Sequence, residues 1–129
     1  MAFASPHVLV VDDCCVDRMY VTRVLNKSHV RVTVVDGAEE ALNFLDLEHD
    51  VNLILTDYSM PGMTGYDLLT KVQESPKLKH LPVVITCIEE CPKMIEKFME
   101  GGAKGFILKP MNLADAHNGM VGSLGIGVK

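Results

Sequence analysis

Val51-Asn52-Leu53-Ile54-Leu55-Thr56-Asp57 is a short β-favouring run that ends on an acid, and Pro61-Gly62 breaks the chain just beyond it. Its core is continuously apolar rather than alternating, so the spacing predicts a strand buried on both faces, as in a parallel sheet covered by helices. The pattern repeats to either side. His7-Val8-Leu9-Val10-Val11 runs into Asp12; Val30 to Val35 is rich in valine; Pro82 to Cys87 and Gly105 to Leu108 complete five predicted strands. Helical spacing separates them. Val16, Met19, Tyr20, Val24 and Leu25 share one helical face. Asp36-Gly37-Ala38-Glu39 starts a second helix in the manner of a capping box, running to about Leu45. Thr64 caps a third, to about Glu74, and Pro92 opens a fourth that stops at Gly101-Gly102. A last helix is expected from about Leu113 to Val121, where each interior glycine costs about 1 kcal/mol relative to alanine.

Composition removes several functions. The 129 residues suit one domain, expected to span 1–129 with a core at 7–116 and a glycine-rich tail at 117–129. A net charge of −5, with no cluster of Lys and Arg, argues against a nucleic-acid surface. No apolar run approaches the ~20 residues that cross a bilayer, so no membrane role is expected. Met1 to Pro6 has neither the basic nor the apolar region of a signal peptide. Cys14, Cys15, Cys87 and Cys91 match no zinc spacing and are expected as thiols in a reducing compartment, cytoplasmic or nuclear.

The polar residues that end the strands carry the chemistry, because ligands of doubly wound sheets bind at the strands' carboxyl ends. Asp12-Asp13 end the first strand, Asp57 the third, Thr86-Cys87 the fourth and Lys109 the fifth. Two charges 4 Å apart repel by about 4 kcal/mol at an effective dielectric of 20. Three carboxylates on one rim therefore demand cations. Lys109 supplies one charge, and an all-oxygen donor set selects a hard divalent ion such as Mg²⁺. Asp57 is then placed as a nucleophile in phosphoryl transfer, with Lys109 and the metal neutralising the developing charge. Any one of these acids alone reads more simply as a helix or turn cap. Four ionisable groups at three strand ends, in this order, favour the site.

Val11-Asp12-Asp13, Thr56-Asp57-Tyr58-Ser59-Met60-Pro61-Gly62-Met63-Thr64-Gly65 and Leu108-Lys109-Pro110 resemble the three signatures of the response-regulator receiver family. Val16-Asp17-Arg18, Asp57-Tyr58, the stretch from Met60 to Leu69 and Leu81-Pro82-Val83-Val84-Ile85 resemble the short plant regulators of cytokinin signalling, the type-A group. The resemblance covers about His7 to Ala116. It implies a flavodoxin-like, doubly wound α/β fold: a five-stranded parallel sheet in the order 2-1-3-4-5 with helices on both faces. It makes Asp57 the phosphoacceptor. Asp12, Asp13 and Asp57 would hold Mg²⁺ with the backbone carbonyl of Ser59, and Lys109 would contact the phosphoryl group. Pro110 would follow a cis peptide bond, and Phe106 would be the switching aromatic residue. The donor would be a histidine-phosphotransfer protein, with a downstream protein partner and a monomeric or weakly dimeric state.

The family pattern departs at the end of the fourth strand. A Thr or Ser is usual where Cys87 stands, followed by a small residue where Ile88 stands; Thr86 lies one position earlier, on the opposite face of the strand. A thiol is a weaker hydrogen-bond donor than a hydroxyl, which puts the conformational switch in question. A phosphorylation-independent binding module is thus one rival reading. An aspartyl-phosphate hydrolase is disfavoured by Ser59, which stands where such enzymes carry a second acid. A flavin binder is disfavoured by the lack of a phosphate-cradling loop after the first strand.

Overall fold

Among the described residues the apolar runs form strands and the amphipathic stretches between them form helices. The structure, a computed structural model, describes residues 5–89 and 91–109. Strands β1 (His7–Val11), β2 (Arg31–Val35), β3 (Leu53–Asp57), β4 (Val83–Cys87) and β5 (Gly105–Leu108) alternate with helices α1 (Cys15–Asn26), α2 (Ala38–Asp46), α3 (Gly65–Glu74) and α4 (Pro92–Glu100). The sheet runs β2-β1-β3-β4-β5, and every neighbouring pair is parallel. The flavodoxin-like order expected from the signatures is the order observed.

Alternation of side chains across the sheet divides the core in two. Leu9, Val11, Ile54, Val83 and Ile85 pack with Ala41, Leu45, Leu68, Leu69, Val72 and Phe98 from α2, α3 and α4. Val8, Val10, Leu53, Leu55, Val84 and Ile107 pack with Val21, Val24 and Leu25 from α1. Every residue of β1 and β3 is buried. That double burial is why these strands are apolar without interruption. The expected last helix, the tail and the peptide bond before Pro110 lie outside the described residues. Among the described residues no helix is long and apolar enough to cross a membrane.

Local signals explain most boundaries. Thr64 caps α3 through a reciprocal pair: its hydroxyl accepts the Asp67 N–H at 3.1 Å, and the Asp67 carboxylate accepts the Thr64 N–H at 2.9 Å. α4 ends in a Schellman motif, with Gly102 N–H donating to the Met99 carbonyl and Ala103 N–H to the Phe98 carbonyl. Gly102 sits at φ +106°, a conformation glycine adopts without penalty. Two expectations shift. The cap of α2 is Gly37, with no side-chain bond, because Asp36 instead pairs with the Glu40 carboxyl one turn on; that contact holds Glu40 above the usual carboxylate range. β3 begins at Leu53 rather than Val51, because the Asn52 side chain accepts the His7 N–H at 2.8 Å and so joins the strand end as a side-chain clasp.

Candidate functional site

The chain order reverses between β1 and β3, and the carboxyl ends of these strands splay the following loops apart. Asp12 follows β1. Its N–H donates to the Val35 carbonyl at 3.1 Å, extending the ladder by one residue. One carboxylate oxygen accepts the Cys14 N–H at 2.9 Å, and the Arg18 guanidinium donates to its backbone carbonyl at 2.7 Å. Asp12 is thereby fixed at the start of α1, with its second oxygen turned to the rim.

Asp57 ends β3 and pairs in register with Thr86 of β4. The chain then turns back through Pro61-Gly62, with Gly62 at φ +78°, as a type II turn requires after proline. Gly65 N–H donates to the Tyr58 carbonyl at 2.8 Å. A Cβ on Gly65 would press on the Asp57 carbonyl oxygen and lie 3.1 Å from the Tyr58 Cα. Only glycine lets α3 start this close behind Asp57.

Lys109 follows β5, where its N–H donates to the Cys87 carbonyl at 2.9 Å. Its ammonium lies 3.0 Å from Asp12, 3.2 Å from Asp57 and 2.9 Å from Asp17. Oxygens of Asp12, Asp13 and Asp57 lie within 4.8 Å of one another. Asp12 and Asp57 are buried and Asp13 is exposed. Burial pushes the Asp57 carboxyl above the usual range; Lys109 pulls it down, and Asp12 and Asp13 push it up again. Burial alone would lower the Lys109 ammonium, but hydrogen bonds to Asp17 and Asp12 and the charge of Asp57 outweigh it and hold it above its ordinary value. Four carboxyl groups, those of Asp12, Asp13, Asp57 and Asp17, thus gather around a single lysine. Oxygen donors with surplus negative charge and one open side fit a hard divalent cation.

The strand ends thus bring together Asp12, Asp13, Asp57 and Lys109. Ser59 follows in the exposed loop after β3. Cys87 is half-buried and pairs with Leu108, while Phe106, also half-buried, pairs with Ile85. Cys87 and Phe106 therefore share the sheet face that packs on α2, α3 and α4. Thr86 faces the α1 side, and its hydroxyl donates to the Thr56 carbonyl at 3.5 Å. Ile88 is 76% exposed and borders a 440 Å³ recess with Val16, Tyr20 and Lys109, so it stands over the rim rather than inside the carboxylate cluster. No disulfide joins the cysteines. The acid that residue-by-residue reading passed over is Asp17. Its signal was position: in the first turn of α1, just after the acids that end β1, a carboxylate looks over the same rim.

A sequence profile described as "Response regulator receiver domain" matches residues 8–120. The two-component response regulator ORR12 of Oryza sativa subsp. japonica is 57% identical over 112 residues, spanning 87% of this chain and 93% of the relative. The chemotaxis response regulator CheY4 of Vibrio cholerae has the same fold, with a TM-score of 0.84 at 25% identity, over 93% of this chain and 99% of that one. So has the receiver domain of the sensor histidine kinase PA1611 from Pseudomonas aeruginosa, solved with magnesium coordinated in its active-site cleft, at a TM-score of 0.84 and 20% identity over 95% and 99% of the two chains. With the sheet order, the rim of acids and the lysine already in hand, the match over most of its length makes the chain a member of the response-regulator receiver family.

Proposed function

We propose that this receiver accepts a phosphoryl group on Asp57 from a histidine-phosphotransfer protein, in a phosphorelay of the cytokinin-response type in the cytoplasm or nucleus. The observation that carries the reading is the Lys109 ammonium 3.2 Å from an Asp57 carboxylate that burial has made costly to ionise. A carboxylate oxygen of Asp57 attacks phosphorus, the bond from phosphorus to the donor imidazole breaks, and the imidazole leaves. Lys109 meets the charge that develops on the phosphoryl oxygens. Asp12, Asp13 and Asp57, with the Ser59 backbone carbonyl, would hold Mg²⁺, which supplies further charge neutralisation when bound. The Pseudomonas receiver carries magnesium on the same fold, and the likeness to rice two-component regulators supports the plant relay. Cys87 and Phe106 would form the switch, and a downstream protein partner would read it. The chain would catalyse only its own phosphorylation and hydrolysis.

The test is phosphotransfer from a phosphorylated phosphotransfer protein with Mg²⁺, to wild type and to Asp57→Asn side by side. The amide cannot attack phosphorus, so uptake is expected in wild type and abolished in the variant. Label that persists on Asp57→Asn removes the assignment. Cys87 in place of a hydroxyl favours a second reading, a binding module that keeps the fold without using phosphate; absence of uptake by wild type would select it.

A further inference from the structure

Lys109 has three N–H bonds and three carboxylate partners, and one of those partners lies outside the cation cluster. Asp12, at 3.0 Å, and Asp57, at 3.2 Å, belong to the group of oxygens that can hold a metal. Asp17, at 2.9 Å, makes the shortest contact and does not belong to that group. It stands in the first turn of α1, 92 residues away in sequence, with its side chain 41% exposed while that of Lys109 is 15% exposed. In the loaded site Asp12 would serve as a ligand to the cation, and an Asp57 oxygen would carry the phosphoryl group as a mixed anhydride. Both lose value as acceptors for the lysine at the moment it is needed. Asp17 stands outside both changes and keeps its contact with the lysine available.

On that basis we propose that Asp17 is a positioning residue: it anchors the Lys109 ammonium beside Asp57 before and after the phosphoryl group arrives. The proposal rests on the reading of Asp57 as phosphoacceptor. Lys109 pivots about the Asp17 contact, passing one N–H from Asp57 to a phosphoryl oxygen without leaving the site. The chemistry asks for this arrangement. A lysine is a flexible four-carbon stem with a point charge at its end, and an ammonium that must be gathered in for each turnover loses the advantage of preorganisation. The competing role for Asp17 is to complement the positive end of the α1 dipole. Any acid in the first turn would do that.

The experiment compares wild type, Asp17→Ala, and Asp17→Ala combined with Cys15→Asp. The double variant keeps a first-turn acid but moves it to the α1 face that borders Arg18, Met19 and Val34, away from Lys109. Acetyl phosphate with Mg²⁺ is the phosphoryl donor, and backbone amide spectra check folding. Both variants are expected to lose about tenfold in the rate at saturating donor, the size typical of losing a supporting contact, with the half-saturating donor concentration changed less than twofold. The ¹⁵N signal of the Lys109 ammonium, observed without metal or donor, is expected to shift and to exchange faster with water in both. A wild-type rate in Asp17→Ala, its recovery in the double variant, or an unmoved ammonium signal overturns the proposal. The ammonium signal tests the anchor without any phosphoryl chemistry. If wild type takes up no label while that signal responds, the reading of Asp57 fails and the anchoring contact stands.

Discussion

The surroundings of Asp57 oppose its ionisation. Burial, then Asp12 and Asp13, disfavour its charge, and Lys109 repairs only part of the cost. A divalent cation that binds the folded chain should therefore stabilise it. At a free concentration tenfold above its Kd the gain is about 1.4 kcal/mol, or roughly 5 °C in Tm for a domain of this size. Thermal unfolding with and without Mg²⁺ should show that shift in wild type and a smaller one in Asp13→Asn, which loses a hard ligand. Equal shifts, or none, would mean that the acids have another purpose. Cys87 sets a second expectation at this scale. A phosphoryl group biases two states only by the difference in its contacts, and a thiol offers weaker contacts than a hydroxyl. Beryllofluoride with Mg²⁺ is expected to move the resonances around Phe106 only partly in wild type and further in Cys87→Thr/Ile88→Ser. A full shift in wild type that the double substitution leaves unchanged would show that the departure has no consequence.

At the level of elements, the site depends on how closely α3 approaches the end of β3. Gly65 provides that approach, and Gly65→Ala must displace either the Asp57 peptide or the helix start. Overpacking of this kind costs about 1–3 kcal/mol. The variant should lose stability in urea and also accept phosphoryl groups more slowly; loss of neither would contradict the contact. Much of this level was legible in advance. Continuous apolar runs marked β1, β3 and β4, Thr64 announced the start of α3, and Gly101-Gly102 its neighbour's end. The failures have local causes. Asp36 looked like a helix cap, but Glu40 one turn on takes its side chain. Asn52 looked like part of a strand, but its amide clasps His7. Asp17 drew no role of its own, because its partner Lys109 arrives from the far edge of the fold. Helical periodicity reports burial, and it carries no information about contacts made after the chain has closed.

Across the whole molecule, charge is organised at both ends of the sheet. Opposite the acidic rim, Asp50 receives Arg31 at 2.7 Å and the His7 ring at 2.6 Å, while the other His7 nitrogen meets Thr33 at 2.7 Å. Arg31 first, then His7, hold the Asp50 carboxyl down at about 2. A folded value below the unfolded one stabilises the fold above the unfolded value and is lost as pH falls toward the folded one. That contribution should be complete above roughly pH 4 and should fade between there and about 2. Asp50→Asn should therefore acid-unfold with a shallower dependence in that window, and an unchanged acid limb would argue against the pairing.

The order 2-1-3-4-5 also has a consequence in time. During synthesis β1 emerges first, yet it lies between two strands made later, and the acids of β1 and β3 are complete some fifty residues before Lys109. The growing chain thus carries its negative rim with no lysine to balance it. Domains complete their packing as units once their segments are available, and here the last strand brings the balancing charge. A chain that stops short of β5 therefore lacks the lysine that meets Asp12 and Asp57.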